Sequence, residues 1–474
     1  MAESEPSGGD LTEVISNDGS RMLSRAQLRL LGIALVTLGA SHVSTGVSAG
    51  LVIVGLVFAL AGTFGQFPAT NGSEVRWAAA TALVMLIGIL GPPIGTYPSS
   101  IAGIRPGLIV MGGMACVIAF GLGHRYTGRL VAVALVLGVS VVTTGALIAH
   151  EWNSAVGTDI YSAHRAAGEA LAGGQNPYTD AVRFEDGNPY QEGRVFEGYP
   201  YPPVVVGTYG LAASITDPRL ISSVAWLFFL GWLGWRALRR RSDEASGFSL
   251  AVLLVLGLSP LNSLVWFMAW TEPLTLAFFA VAAILWDRYP KSSGVFLGLA
   301  LASKQYLVFL APMLVLHRDR GSKARSIVAA GVAGLTILVG LAPDPPAFLR
   351  STIGNLADIA FRPDTQSLPG LLAALGLEIN LPNILWILVG LGVTTLLAKS
   401  SSTSSGFMIR AGLGLGTAFV LGMAFPNYWF LVAGLLAIGT VLEPSDTGVL
   451  HPVQGRHILD SSQGRRQETR IAGV

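Results

Sequence analysis

Long, nearly uninterrupted apolar runs alternate with short polar connections along most of the chain. A run of about 20 apolar residues is long enough to cross the hydrocarbon core of a bilayer as a helix. The pattern predicts about 14 crossings, counting two for a broken pair of short helices. The predicted spans are Arg29–Ser48, Leu51–Phe67, Trp77–Ile94, Gly107–Leu122, Leu130–Ala149, Arg219–Leu238, Phe248–Val265, Trp270–Trp286, the broken pair within Ser292–Leu316, Ile327–Ala342, Leu381–Leu397, Phe407–Ala424 and Tyr428–Leu442.

The composition supports the same class of protein. Of the 474 residues, 51% are hydrophobic and only 12% are charged, whereas roughly a quarter of the residues in a soluble protein are charged. A net charge of +2 provides no basic face for nucleic acid. The single cysteine, Cys116, excludes an intrachain disulfide. We therefore expect an all-α polytopic membrane protein with no nucleic-acid partner.

The basic residues predict the orientation. Most of the 30 Lys and Arg residues fall on the inner side if the N-terminus is cytoplasmic. Both termini are then cytoplasmic, with polar and disordered tails at residues 1–28 and 443–474. The long polar segment Glu151–Tyr199 faces the outside of the plasma membrane. The apolar stretch Val204–Ile215 is too short to span, and we expect an outer helix in or on the membrane. Because Lys291 and Arg318 should both lie on the inner side, Ser292–Leu316 is predicted to form two short helices meeting near Ala302–Gln305.

The outer segment is rich in acids and aromatic residues. Carboxylates hydrogen-bond to sugar hydroxyls, and aromatic rings stack on sugar rings. This composition favours a sugar site, although a plain solvated acidic loop is an equal alternative, and Asp180 and Asp186 read as solvated turn acids. The residues concerned are Glu151, Asp159, Glu169, Asp180, Glu185, Asp186, Glu192 and Glu197, with Trp152, Tyr161, Tyr178, Tyr190, Tyr199 and Tyr201.

A short helix is predicted over Asp159–Ala172. Thr158 is a suitable N-cap, and Gly173-Gly174 would end the helix. Its apolar face should lie on the membrane surface, with His164 off that face as an exposed surface histidine. Asp159 sits at the helix N-terminus, where the dipole favours the ionised carboxylate that a general base needs. The alternative is ordinary dipole compensation by a first-turn acid.

These motifs resemble a known group of enzymes. Thr158-Asp159-Ile160-Tyr161, Gly174-Gln175-Asn176-Pro177-Tyr178, Tyr199-Pro200-Tyr201-Pro202-Pro203 and Gly298-Leu299-Ala300 followed by Lys304 occur in this order and topological placement. They resemble the GT-C glycosyltransferases, and most of all the polyprenol-phosphate-mannose-dependent mannosyltransferase-like proteins of glycosyltransferase family 87. The resemblance covers roughly Leu130–Leu442. It implies a GT-C-like helical bundle at 129–442, with its catalytic loop at 150–203.

Two features depart from that family. Its catalytic loop usually follows the first span, whereas here it follows the fifth. Residues 29–125 therefore look like an N-terminal four-span extension of unexplained role. The family's acid is often part of an Asp-x-x-Tyr-like pattern, but here the order is Asp159-Ile160-Tyr161.

The resemblance implies the reaction and its partners. A sugar, expected to be mannose, would move with inversion from a polyprenyl-phosphate donor within the membrane to an outer glycolipid or glycan acceptor. Asp159 would be the catalytic base. The departing phosphate needs a cation or oriented donors, and Lys304 and Gln305 at the predicted helix break are the candidates. Lys304 and Glu272 are charged residues within apolar stretches at membrane depth, where a charge is costly unless it is paired or lines a polar cavity. The alternative for Lys304 is snorkelling to the outer interface.

Further substrate-binding candidates surround this predicted centre. They are Glu151 as a reserve base, Tyr161, Tyr178, Tyr201 near the lipid channel, Glu272 in Thr271-Glu272-Pro273, and Arg362 in the loop Pro343–Leu368. Glu272 is equally well read as a plain helix-start residue. No cofactor is indicated with certainty, and a divalent metal stays open.

Two other functions compete with sugar transfer. One is a multi-spanning transporter or lipid flippase, which the apolar composition allows. Against it, neither inverted repeats nor paired broken helices in corresponding halves are visible. The other is a non-enzymatic scaffold on the same fold, which would follow if Asp159 were dispensable.

Overall fold

The computed structural model describes most of the apolar part of the chain. The described residues are 23–41, 45–64, 76, 78–79, 81–82, 105–151, 159–185, 195–239, 243–259, 261–262, 265, 268–319, 321–355, 362, 364–377, 383–398 and 403–443. They belong to one compact unit that ends at Glu443. The predicted N-terminal tail lies outside the described residues up to residue 22, and the C-terminal tail from residue 444. Most of the predicted span Trp77–Ile94 also lies outside them.

The described chain is almost entirely helical. The helices are α1 Arg25–Ser41, α2 Thr45–Phe64, α3 Arg105–Leu122, α4 Tyr126–Glu151, α5 Asp159–Ala172, α6 Pro203–Ile215, α7 Arg219–Arg239, α8 Asp243–Gly257, α9 Glu272–Leu285, α10 Pro290–Leu301, α11 Ala311–Leu316, α12 Ser322–Leu341, α13 Pro345–Leu349, α14 Leu368–Ala374, α15 Asn383–Ala398, α16 Ser404–Leu421 and α17 Pro426–Leu442. A 3₁₀ turn, Gln305–Leu310, leads into α11, and π-helical turns lie within α6 at Val206–Gly210 and after α13 at Arg350–Gly354.

Five described helices are long and apolar enough to cross a membrane. These segments are Val47–Phe64, Tyr126–Ala146, Arg219–Arg239, Ser322–Leu341 and Ser404–Leu421. Seven shorter apolar helices accompany them: Pro106–Leu122, Pro203–Ile215, Gly247–Gly257, Glu272–Leu285, Gln305–Leu316, Trp386–Ala398 and Pro426–Leu442. The predicted class, an all-α membrane protein, is consistent with this architecture, but the predicted number of about 14 spans is not confirmed.

The first two helices pack directly on the last two. α1 lies against α2 and α17, and α2 contacts α16. Arg29 of α1 is buried and forms a two-pronged ion pair with Glu443, in which the Nη2–Oε1 distance is 3.0 Å. The helices of the predicted extension 29–125 that are described here thus share the core of the bundle, while a separate role for them stays a prediction.

The predicted break within Ser292–Leu316 is confirmed. α10 ends at Leu301, the chain turns through Ala302 and Ser303, and Lys304 is extended with φ −147° and ψ 138° before the 3₁₀ turn begins at Gln305. Ser303 donates to the carbonyl of Ala300 and shares a 2.7 Å hydroxyl contact with Thr275 of α9. The break is therefore anchored to α9, and it projects Lys304 from the end of a helix.

The polar segment that follows α4 packs against the rest of the protein through α5. α5 has the predicted bounds, but its apolar face packs against α6, where a Cβ on Gly168 would lie 2.7 Å from Ala213. The expectation that this face rests directly on the membrane surface is therefore wrong. The sequence also did not predict the small antiparallel hairpin of β1, Arg183–Glu185, and β2, Val195–Glu197, in which Phe184 pairs with Phe196.

Glycine permits the close contact that positions the break. A Cβ on Gly298 of α10 would lie 2.6 Å from the carbonyl oxygen of Ala329 in α12, too close without movement of the backbone. We expect Gly298→Val to lower the free energy of unfolding by about 1–3 kcal/mol, because the two helices must separate. The measurement is thermal unfolding of the purified protein in detergent.

Gly331 in α12 is the matched control for this substitution. A Cβ there meets nothing within 4 Å among the described atoms, so Gly331→Val should leave the melting temperature nearly unchanged. Equal melting temperatures for Gly298→Val and the wild type would show that α10 and α12 do not need this close approach.

Candidate active site: a buried Lys–Glu pair beside Asp159

A buried ion pair joins the two charged residues predicted at membrane depth. The ammonium of Lys304 lies 3.0 Å from Oε1 of Glu272, with side-chain exposures of 3% and 0%. Lys304 comes from the break after α10, and Glu272 is the first residue of α9, preceding Pro273. Lys304 therefore does not snorkel to the interface, and Glu272 is more than a first-turn acid, because each compensates the charge of the other.

Polar side chains from two more elements converge on Glu272. Its Oε1 accepts hydrogen bonds from the hydroxyl of Tyr306 at 3.0 Å and from the side-chain amide of Asn427 at 2.9 Å. Its Oε2 is buried and has no hydrogen-bond partner among the described residues. One carboxylate oxygen is thus crowded with donors, while the other can still accept, which suits a ligand hydroxyl.

Tyr201 connects this pair to the polar segment. The ammonium of Lys304 lies 4.4 Å from the centroid of the Tyr201 ring, a cation–π contact. Burial, followed by the carboxylates of Asp159 and Glu272, raises the pKa of Tyr201 well above its ordinary value. Both carboxylates therefore act on one phenol. The hydroxyl of Tyr178 donates to the backbone carbonyl of Tyr201 at 3.2 Å and helps to hold that turn.

Asp159 lies at the start of α5, as the sequence predicted. Its Oδ1 accepts the backbone N–H of Ile160 at 2.9 Å, and the side chain is half-buried. Tyr428 interacts electrostatically with Asp159, Glu272 and Arg362. These electrostatic interactions group Asp159 with the Lys304–Glu272 pair around Tyr201 and Tyr428. The proposed N-cap, Thr158, lies outside the described residues.

The side chain of Gln305 donates its hydrogen bonds to backbone carbonyls. Its side-chain amide nitrogen donates to the carbonyl of Pro200 and, at 3.2 Å, to the carbonyl of Thr352. Both N–H groups of the amide are thereby used. Contact between this amide and a phosphate, as predicted from the sequence, would require one of these bonds to break.

Residues 219–442 match the sequence profile of glycosyltransferase family 87. The chain resembles a family 87 glycosyltransferase. The match extends from α7 to α17 and includes Glu272, Lys304, Gln305 and Arg362. It indicates a membrane glycosyltransferase. No curated protein and no solved structure matches the chain.

The predicted base lies outside the family 87 segment, residues 219–442. Asp159, Tyr161, Tyr178 and Tyr201 all precede Arg219 in the chain. Their link to the matched segment is structural, through the contact between Lys304 and Tyr201 and the packing of α5 against α6. The resemblance inferred from the sequence is thus confirmed for the family 87 segment, while the role of the polar segment stays a prediction.

Arg362 contacts the residue that precedes α17. Its guanidinium forms a two-pronged pair with Asp364, with distances of 3.0 and 2.7 Å, and lies 4.3 Å from the centroid of the Phe425 ring. Phe425 precedes α17, which carries Asn427 and Tyr428. A covering position and substrate binding by Arg362 both stay predictions.

The remaining predicted residues make their described contacts with other parts of the protein. The Tyr161 ring is buried and lies 4.8 Å from the guanidinium of Arg219, which is paired with Asp217. Tyr178 is buried edge-on against Phe348, with centroids 4.8 Å apart. Both tyrosines therefore support the polar segment in this structure. The Glu151 side chain, the reserve base, lies outside the described part of the chain, as does Asp186, while Asp180 is exposed.

His164 is fully buried, so the prediction of an exposed surface histidine is wrong. Its Nε2 donates to the carbonyl of Ala269 at 3.2 Å, its Nδ1 accepts from the hydroxyl of Tyr199 at 2.7 Å, and its ring stacks on Tyr209. These two bonds define a neutral tautomer. Ala269 has a φ of 53°, in the left-handed region. His164 thus links α5, which starts at Asp159, to the turn that leads into Glu272.

The adjoining carbonyl in that turn is held as well. Trp270 accepts hydrogen bonds from the hydroxyls of Tyr209 and Ser222 at 2.9 and 2.8 Å. The sequence reasoning missed this network, and it also missed Asn427 and Tyr428. A signal for the last two was present, because Pro426-Asn427-Tyr428 places polar groups at the start of an apolar helix.

Metal binding has no obvious centre here. Within the described ranges, no group of three or more His, Cys, Asp or Glu side chains could hold a metal ion. A divalent metal stays open for this protein.

The buried imidazole should make stability depend on pH. Burial, with a smaller effect of Lys304, lowers the pKa of His164 to about 3, against about 6.5 in the unfolded chain. As pH falls from about 6.5 towards about 3, the unfolded state binds a proton that the folded state refuses, and stability is lost. We expect the melting temperature of the wild type to fall over this range more steeply than that of His164→Asn. Parallel curves would contradict a buried neutral His164.

The ion pair can be tested by removing its members singly and together. Lys304→Met should cost about 3–5 kcal/mol because the Glu272 carboxylate is left buried and uncompensated. The double variant Lys304→Met with Glu272→Gln should recover much of this loss. Thermal unfolding of the variants measures the coupling. If the losses of stability in Lys304→Met alone and in Glu272→Gln alone simply add up to the loss in the double variant, the two groups are not paired in the folded protein.

Proposed function

We propose that this protein transfers a sugar, mannose in the first instance, from a polyprenyl-phosphate donor to a glycolipid or glycan acceptor. The observation that carries the proposal is the grouping of one half-buried carboxylate, Asp159, and one buried cation, Lys304, around Tyr201. A base and a phosphate-binding cation are the two functions that such a transfer needs. The match of residues 219–442 to family 87 supports the same class of reaction.

Asp159 is the general base in this proposal. Its carboxylate takes the proton from the acceptor hydroxyl as the acceptor oxygen attacks the anomeric carbon of the sugar. The bond from that carbon to the phosphate oxygen breaks on the opposite face, so the configuration inverts. The electron pair stays on the leaving polyprenyl phosphate, which needs no proton to depart. One carboxylate is therefore sufficient, in contrast to the two of a glycoside hydrolase.

Lys304 is the group that meets the leaving phosphate. An ammonium has three N–H donors, and Glu272 occupies the direction of one of them. Burial at 3% exposure removes competing water, so the charge acts on phosphate with little screening. Because Glu272 balances Lys304 before the donor arrives, the cation can be kept at this depth while the site is empty.

Glu272 binds the sugar in this scheme. Its Oε2 is an acceptor without a described partner, and Tyr201, Tyr306 and Tyr428 lie near it. An acceptor next to aromatic faces suits a hydroxylated ring. We place the reaction on the outer face of the plasma membrane because the predicted orientation puts the polar segment there.

A transporter or flippase remains the alternative function. The Lys304–Glu272 pair in mid-bundle is a feature that such proteins also show. The grouping of Asp159 with Lys304 around Tyr201 favours transfer, because deprotonation of an acceptor hydroxyl needs a base, whereas movement of a lipid across the membrane does not.

The decisive experiment compares two acidic residues of the polar segment. Membranes containing the wild type, Asp159→Asn or Asp180→Asn are incubated with radiolabelled polyprenyl-phosphate mannose and candidate acceptors. We expect the rate with Asp159→Asn to fall roughly a hundred- to ten-thousand-fold, since the amide cannot take the proton. Asp180 is exposed in a turn, and its variant should keep full activity.

The possible outcomes separate the parts of the proposal. Equal transfer by the wild type and Asp159→Asn would remove Asp159 from the chemistry. Transfer of another polyprenyl-linked sugar with mannose inactive would correct the donor alone. Movement of the labelled lipid across vesicles without any transfer would favour the flippase.

A further inference from the structure

A second polar cluster lies at the opposite end of α9. Trp286 directly follows α9, about 21 Å along the helix from Glu272. Around it lie His317 after α11, Asp319, Arg325 of α12 and Phe407 of α16, which we call the distal cluster. The guanidinium of Arg325 lies 3.6 Å from the centroid of the Trp286 ring and donates to the Trp286 carbonyl at 2.8 Å.

The acid of the distal cluster is fully engaged. Asp319 accepts from Arg325 at 2.9 and 3.2 Å, from the indole of Trp286 at 2.6 Å and from Nε2 of His317 at 2.8 Å. Asp319 and Arg325 therefore neutralise each other. The lone pairs of the Asp319 carboxylate are already shared among Arg325, Trp286 and His317, which leaves little capacity for another cation.

Arg410 adds a positive charge next to this cluster. It is the only charged residue of α16 and lies about 9 Å along that helix from Ser404. It is three residues after Phe407, whose ring contacts His317 with centroids 5.4 Å apart, so Arg410 shares that face. Arg410 and His317 interact electrostatically. Among the described residues, Nε and Nη1 of Arg410 are buried without a hydrogen-bond partner.

His317 has an unused nitrogen at the same place. The residue is 5% exposed, and its Nδ1 is buried with no hydrogen-bond partner in the described chain. Because Nε2 donates to Asp319, Nδ1 is an acceptor in the neutral imidazole. The cluster thus offers two N–H donors on the Arg410 guanidinium and one neutral acceptor, Nδ1 of His317. A phosphate can accept from the guanidinium, and a hydroxyl group near that phosphate can donate to the imidazole.

Apolar side chains beside the cluster indicate the kind of molecule that carries this phosphate. Val315 is 79% exposed, two residues before His317, and Ile327 is 62% exposed, two residues after Arg325. Exposed aliphatic groups in a membrane protein face lipid tails. A basic pocket between helices at the end of a bundle is a typical place for a lipid phosphate.

We propose that Arg410 and His317 bind the phosphodiester of a lipid with a hydroxylated headgroup. Arg410 donates to the phosphate through Nε and Nη1, and a headgroup hydroxyl donates to Nδ1 of His317. This site is separate from the sugar-transfer centre and does not depend on the function proposed for it. Lipid binding at this site makes the stability of the N-terminal half of α16, which carries Arg410, dependent on lipid composition.

The test uses the full chain in nanodiscs of phosphatidylcholine, alone or mixed with phosphatidylglycerol. The wild type should melt at a higher temperature with phosphatidylglycerol, because a ligand that binds the folded state stabilises it. Arg410→Gln should weaken phosphatidylglycerol binding about tenfold or more, since charge-assisted hydrogen bonds are lost. Lys323→Gln, an exposed basic residue at the start of α12, is the matched control and should keep the wild-type response.

Two further measurements use the wild type alone, so they hold even if Arg410→Gln fails to fold. The first distinguishes a lipid phosphate from free phosphate, and the second detects bound lipid directly. Inorganic phosphate added to phosphatidylcholine nanodiscs should not reproduce the stabilisation, and if it does, the site takes free phosphate and the lipid assignment is overturned. Native mass spectrometry of the wild type should find phosphatidylglycerol retained in excess of its share in the nanodisc. No enrichment, an unchanged response of Arg410→Gln, or an equal loss with Lys323→Gln would each overturn the proposal.

Discussion

The buried contact between Lys304 and Glu272 is the constraint on which the site depends. A lone ammonium or carboxylate at 3% or 0% exposure would be too costly to keep charged. The pair is satisfied only if the break after α10 and the first turn of α9 meet at the correct height. The close approach of α10 to α12 at Gly298, and the anchoring of the break through Ser303 and Thr275, serve that requirement.

The sequence predicted the features that depend on local pattern. Apolar length identified the helices, Gly173-Gly174 ended α5 at Ala172, and the inner placement of Lys291 and Arg318 required the break from which Lys304 projects. Positions at which a charge interrupts an apolar run also pointed to Glu272 and Lys304. What could not be derived was which of these charges meet, because residues 272 and 304 come from separate helices.

Errors arose where tertiary packing overrides the helical pattern. His164 lies off the aliphatic face of α5, yet Tyr199, Tyr209 and Ala269 enclose it. The apolar face of α5 has α6 as its partner rather than lipid. Amphipathicity shows that a face is covered but does not identify what covers it. Asn427 was missed for a related reason, since a single amide in an apolar helix gains meaning only from the carboxylate that it reaches.

Gln305 gives the site a mechanical property. One amide joins the carbonyls of Pro200 and Thr352, so the turn before α6, the 3₁₀ segment and the π-helical turn after α13 are held at a common point. Relative motion of any two of them has to break a partly buried hydrogen bond. The wall of the site around Lys304 is therefore held together by one amide, so a ligand there would be recognised by fit to a preformed arrangement rather than by closure of a lid.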